Sequence, residues 1–159
     1  MGNYSLELSV LYTKYKSENG LINVSEKINT ELFDEVYKIA EYFKNELDYD
    51  TVPFCKFGSI PKPFEVILFT EKAYDKVDNQ NPYSCRIYGA CLFSSIKIED
   101  KNHWKLEWIW LHPFFRHRGN LQKYWQDLEK RFDNFFIGKP ISNDMKSFLT
   151  KCNSKHTEI

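Results

Sequence analysis

Trp110-Leu111-His112-Pro113-Phe114-Phe115-Arg116-His117-Arg118-Gly119-Asn120-Leu121 joins a strand-like segment to a helix-like one. Upstream, residues 105–111 read Lys-Leu-Glu-Trp-Ile-Trp-Leu, a run of strand formers. Pro113 has no N–H for a ladder and ends that strand. Downstream, Leu121, Tyr124, Trp125, Leu128 and Phe132 recur at helical spacing, so the period changes from two to 3.6 across the proline. A short basic loop with one glycine opens directly into the helix. Such a junction turns unpaired backbone N–H groups and the positive end of the helix toward one spot. Arg116, His117 and Arg118 add charge there, and the natural guest is a phosphate or pyrophosphate. The competing reading of the same residues is a plain turn at Gly119 with solvated arginines.

Working outward, Cys85–Ile98 is a long strand candidate, and Glu99-Asp100-Lys101-Asn102-His103 is a compact polar turn. The two strands are expected to pair as an antiparallel hairpin, with Gly89 marking a bulge or a close backbone approach. Val66-Ile67-Leu68-Phe69 reads as a buried strand, and Leu6-Glu7-Leu8-Ser9-Val10-Leu11-Tyr12 as another. Residues 30–47 form a helix with Thr30 as N-cap and Leu32, Val36, Ile39, Ala40, Phe43 and Leu47 inward. Residues 48–64, with Pro53, Gly58, Pro61 and Pro63, are a loop or extended edge segment. Phe135-Phe136-Ile137 is a short strand ended by Gly138 and Pro140. Ser142 then caps a last helix that turns Met145, Phe148, Leu149 and Cys152 inward. The polar tail, residues 153–159, is expected to fray. The order of elements predicts one α/β (α+β) domain over residues 1–159, with a mixed, mostly antiparallel sheet flanked by helices.

Composition narrows the function classes. A chain of 159 residues can bury roughly 70% of its unfolded surface, enough for one self-sufficient core. Twenty-two Lys+Arg balance 22 Asp+Glu, so the net charge of zero argues against nucleic acid as the partner. The patch formed by Arg116, His117, Arg118 and Lys123 is diluted by Asp127 and Glu129. Four cysteines, none in a C-x-x-C pair, and four histidines make a poor zinc set. No apolar run reaches the ~18 residues of a membrane span, and the N-terminus carries no signal-peptide pattern. A cytoplasmic protein with reduced thiols is expected. Cys91, beside Leu92 and Phe93, reads as an inert core thiol.

The stretch 111–121 resembles the acetyl-CoA signature of the GNAT superfamily of N-acetyltransferases. That signature is an apolar residue, any residue, Pro, two residues, then Arg/Gln-x-x-Gly-x-Gly/Ala, and Leu111, Pro113, Arg116 and Gly119 fall in register with it. The resemblance covers roughly residues 66–152 and implies a GNAT-like fold. It leaves residues 1–64 as the variable part that selects the acceptor. It implies acetyl-CoA as cofactor, with main-chain groups of Trp110 and Leu111 on pantetheine and a pyrophosphate cradle of Arg116, His117, Arg118, Gly119, Asn120 and Leu121. Asn143, opening the last helix, is also assigned to the cofactor. The implied reaction is acetyl transfer to a primary amine on a small molecule or peptide, with the oligomeric state left open.

Glu107 is the base candidate, because many members carry an acid at this strand position. Its alternation places it with Ile109 and Leu111, opposite Trp108 and Trp110; the alternative is an exposed strand Glu paired with a nearby cation. Trp104, Trp108 and Trp110 suit either a substrate groove or the core. His103 and His156 have no evident partner. Three departures from the pattern stand out. Leu121 occupies the last Gly/Ala position, Thr150 stands where the family often carries a tyrosine acid, and the usual C-terminal strand pair is not evident. They keep a second function open: a GNAT-like acyl-CoA-binding or partner-binding module without turnover.

Overall fold

The structure is a computed structural model that describes residues 8–11, 19–54 and 62–159. Cys55, Gly58, Pro61 and part of the expected strand at 6–12 lie outside the described residues. The rest builds a six-stranded sheet. Its strands are β1 (Val10–Leu11), β2 (Leu21–Ser25), β3 (Phe64–Lys72), β4 (Cys85–Ile98), β5 (Lys101–Leu111) and β6 (Phe136–Ile137). They run in the order β2-β3-β4-β5-β6, with β1 against the first residues of β4. Among the described strands only β5 and β6 pair in parallel, through Lys105–Phe136 and Leu106–Ile137. The sheet is mixed and mostly antiparallel, as its sequence pattern predicts.

Alternation along the strands sorts the core into two halves. Val66, Leu68, Ala90, Leu92, Trp108 and Trp110 meet Val36, Ile39, Ala40 and Phe43 of α1 (Phe33–Leu47). On the other face Ile67, Phe69, Cys91, Phe93 and Leu106 meet α2 (Asn120–Phe132) and α3 (Asn143–Lys151). Phe93 stacks on Phe132 with centroids 3.8 Å apart. Fully burying one such side chain contributes about 1.5–3 kcal/mol. The three tryptophans of β5 divide between these halves, Trp108 and Trp110 under α1 and Trp104 on the α2 side.

Four local expectations need correction. The hairpin turn is two residues, not five: Glu99 and Asp100 take φ of 49° and 63°, and Lys97–Asn102 and Ile96–His103 still pair. Two positive φ values suit the twist of a tight hairpin, so β5 starts at Lys101. Thr30 does not cap α1. A 3₁₀ turn, Thr30–Leu32, precedes the helix, and Asn29 opens that turn at φ 54° while its side-chain amide donates to the Asn23 carbonyl at 2.8 Å. Asparagine tolerates this left-handed backbone, which threonine does not. The tail does not fray. Ile137 N–H donates to Thr157 O and Ile159 N–H to Ile137 O, which sets Glu158 beside β6 as a parallel bridge. The imidazole of His156 stacks on Phe135 at 4.0 Å, so that histidine does have partners.

The fourth correction concerns Glu107. The β4–β5 register jumps from Leu92–Trp108 to Phe93–Leu106, leaving Glu107 as the extra residue of a bulge. The bulge breaks the alternation. Glu107 reaches Ser94, which alternates with Phe93 and so shares the α1 face with Leu92. Glu107 thus sits on the side of Trp108 and Trp110, not with Ile109 and Leu111.

Candidate functional site

Because β6 pairs only with Lys105 and Leu106, β5 runs on to Leu111 with an open edge on that side. The N–H of His112 donates to Tyr88 O at 2.8 Å, which fixes the ladder phase. Trp110 and Ala90 then form a hydrogen-bonded pair, and Ile109 and Leu111 turn their N–H and C=O groups to the open edge. Gly89 lets the strands close here: a Cβ on it would lie 2.6 Å from Trp110 O. The open edge borders a cleft of about 600 Å³ between the end of α1, the start of α2 and the start of α3.

The floor of the cleft is the proline loop. Pro113–Phe115 makes a 3₁₀ turn, started by His112 Nδ1 accepting the N–H of Phe114. His117 at φ 58° and Gly119 at φ 80° then swing the chain into α2. Gly119 is the N-cap and has no side chain to satisfy the first-turn N–H groups. Asn120 does not cap in its place: no side-chain oxygen accepts from the first turn, and its amide nitrogen donates backward to Phe115 O at 2.9 Å. A Cβ built on Gly119 would meet nothing within 4 Å, so the backbone there is open to close approach. An anion fits this cradle.

The sequence-predicted residues distribute unevenly around it. Leu111, Arg116, His117, Gly119, Asn120, Leu121 and Asn143 all line the cleft. Leu121 also packs against the α2 core, which reconciles its two readings. Trp110 lines the cleft with its ring, but its main chain belongs to the β4 ladder; Ile109 offers the edge groups instead. Arg118 is turned aside over the Phe114 ring, 4.3 Å from its centroid. Arg116 is neither solvated nor aimed at the start of α2. Its Nε donates to Leu111 O at 2.8 Å and its guanidinium pairs with Glu46 at 2.7 Å, with Asp144 at 3.9 Å.

Glu107 does not line the cleft. One of its carboxylate oxygens accepts from the Ser94 hydroxyl, and the other lies 3.3 Å from the Lys105 ammonium. The Thr150 hydroxyl is committed to Lys146 O in its own helix. Cys91 is fully buried, and burial pushes its thiol pKa up, which keeps it inert. Burial, with help from Glu129, raises that of Cys152 as well. Glu46 and Asp144 were not singled out as site residues from the sequence. Among the described residues no helix is long and apolar enough to cross a membrane. No group of three metal-ligating side chains occurs among them either.

No family model and no curated protein sequence matches the chain. Solved structures do. An aminoglycoside acetyltransferase, meta-AAC0020, from an uncultured soil metagenomic sample, in complex with sisomicin, superposes with a TM-score of 0.53 at 9% identity, over 86% of this chain and 88% of that one. A possible acetyltransferase from Clostridium difficile 630 gives 0.54 at 7% identity, over 84% and 90%. Likeness at such low identity is a likeness of fold, and the fold is that of the GNAT acetyltransferases.

Proposed function

We propose that this chain is an acetyl-CoA-dependent N-acetyltransferase that works on a primary amine of a small molecule or peptide in the cytoplasm, as one domain whose residues 1–64 select the acceptor. One observation carries the reading: a strand edge with free N–H and C=O groups leads straight to an uncapped helix N-terminus with an open glycine. An extended amide-bearing arm that ends in a pyrophosphate matches both halves of that arrangement. Ile109 and Leu111 would pair with the pantetheine amides, and the N–H groups around Gly119, Asn120 and Leu121 would take the phosphates, with His117 and Asn143 at the rim. Acetyl-CoA, when bound, would supply the acetyl thioester.

The chain's own residues do the rest. Trp110, Phe43 and Leu121 give the cleft an apolar wall. Glu107 takes the proton of the amine through water, since its carboxylate lies off the cleft and a third of its side chain (32%) is exposed.

A binding module without turnover is the second reading, and a specific observation favours it. Among the described residues neither a tyrosine nor a cysteine lines the cleft to protonate a leaving thiolate, and both Glu107 oxygens are already held. Two measurements separate the readings. Coenzyme A bound to the purified protein, seen by mass spectrometry and as a thermal shift, supports the enzyme and the acyl-CoA-binding module alike, and its absence removes both and leaves only partner binding. Acetyl transfer to a panel of amines, lost in Glu107→Gln, supports the enzyme; binding without transfer leaves the module.

A further inference from the structure

Arg116 stands in the motif position but behaves unlike a ligand for phosphate. Only 21% of its side chain is exposed. Its planar fork ties three elements together. Nε donates to the Leu111 carbonyl at the end of β5, one terminal nitrogen meets Glu46 in the last turn of α1, and the other faces Asp144 in the first turn of α3. The guanidinium also lies 5.7 Å from the Trp110 ring centroid. We propose that Arg116 is a positioning residue that pins the α1 and α3 walls of the cleft to the end of β5. It thereby fixes the loop that presents the N–H groups of residues 117–122. This rests on the coenzyme reading of the cleft given above.

Two consequences follow from the contacts. By taking the Leu111 carbonyl, Arg116 leaves the open edge with the Leu111 N–H and both groups of Ile109, so it selects which amides of an extended ligand can pair. With its one positive charge it pairs closely with Glu46 and more loosely with Asp144, which lessens the repulsion these carboxylates would otherwise offer an entering polyanion. Lysine could not replace it, because a single ammonium cannot serve a carbonyl and two carboxylates on different elements at once.

Glu46→Ala separates this role from phosphate binding. If Arg116 were a phosphate ligand, removing Glu46 would free it and tighten coenzyme A. As a pin, Arg116 loses its anchor, and coenzyme A should bind about tenfold more weakly, the scale of one charge-assisted hydrogen bond. KM for acetyl-CoA should rise with kcat little changed. Arg116→Lys should not restore the affinity lost in Arg116→Ala, and adding Glu46→Ala to Arg116→Ala should cost little more. A readout without ligand keeps this test apart from the coenzyme reading: amide hydrogen exchange at His112, Phe115, Arg116 and Lys123, whose N–H groups are hydrogen-bonded around the loop, should speed up in Glu46→Ala, while exchange in the β3–β4 core stays as in the parent. If the parent protein binds no coenzyme A, the coenzyme reading fails and the exchange result alone decides the pin. Unchanged exchange in the loop, or coenzyme A bound as tightly or more tightly in Glu46→Ala, would overturn it. Glu46 is a half-exposed helix residue, so the test survives even if Arg116→Ala fails to fold.

Discussion

The two ends of α2 receive opposite treatment. At the N-terminus the cap is a glycine with no side chain to offer, and a Cβ on it would touch nothing within 4 Å. Toward the C-terminal end the side chains of Trp125 and His156 have partners. His156 reaches the Phe135 carbonyl at 2.8 Å through Nδ1, and its Nε2 lies 3.4 Å from Glu129. Trp125 sets its edge against Phe135, Phe148 and His156, and the tail seals the strand beside them. Folding drives polar groups to find partners, so a conformation that leaves them open is informative. The closed end is structure, and the open end is the candidate site.

The largest expected effect lies at the closed end. Trp125 is 4% exposed and touches three rings, so Trp125→Ala should lower the unfolding free energy by about 3–5 kcal/mol, read by urea denaturation. Coenzyme A affinity, measured on the folded fraction, should stay within about twofold of the parent. A parallel loss of binding would mean that the two ends are not independent.

The open end should respond the other way round. Gly119 at φ 80° suits glycine, and a branched side chain there costs about 1–2 kcal/mol of folding. Gly119→Val should weaken coenzyme A by about 10–100-fold in calorimetry, because a branched side chain fills the space the phosphates need. Gly119→Ala should fall between valine and the parent. If both variants bind as the parent does, the anion does not sit on this turn.

How much of this was legible in the sequence depends on whether a signal was local. The change of period across Pro113 located the end of β5, the loop and α2, because a proline and a helical stripe are readable within a dozen residues. Ser142 was legible for the same reason, and its hydroxyl does accept from Met145 N–H. β2 was not read at all. Only Ile22 and Val24 of its five residues are buried, too short an alternation to stand out before β3 pairs with it. The face of Glu107 depended on a bulge that exists only through the register of β4 on β5. The Arg116 pin joins residues 70 positions apart, and nothing in the local pattern of Glu46 announces its partner. The tail was misjudged because polar composition hid a histidine whose side chain is only 5% exposed.

That histidine gives a smaller prediction. His156→Ala removes the contact to Phe135 O and the stacked ring, and should cost about 1–3 kcal/mol. Amide exchange at Ile137, Lys139 and Ile159, which bond to or from the tail, should accelerate more than exchange elsewhere. Coenzyme A binding should not change. If the three amides stay protected, the β6–tail pairing holds without the histidine.

The smallest effect belongs to a pair at neither end of α2. Asp75 forms a two-pronged ion pair with Arg86 at the start of β4. The hydrogen bonds from Arg86 hold the Asp75 carboxyl below its ordinary range. A lowered folded-state pKa means that the pair contributes above the unfolded aspartate value of about 3.9, and that the contribution fades as pH falls through that value toward the folded one. Asp75 is well exposed, so solvent screens the attraction and the contribution is small. The Tm difference between the parent and Asp75→Asn should therefore be slight and level from pH 8 to about 5, then shrink as the pH falls below about 4. Adding salt to about 1 M at pH 7 should shrink it as well, because the screening length drops to about 3 Å. A difference that grows on acidification would reverse the assigned direction, and it would show that the carboxyl is stabilised in its protonated form.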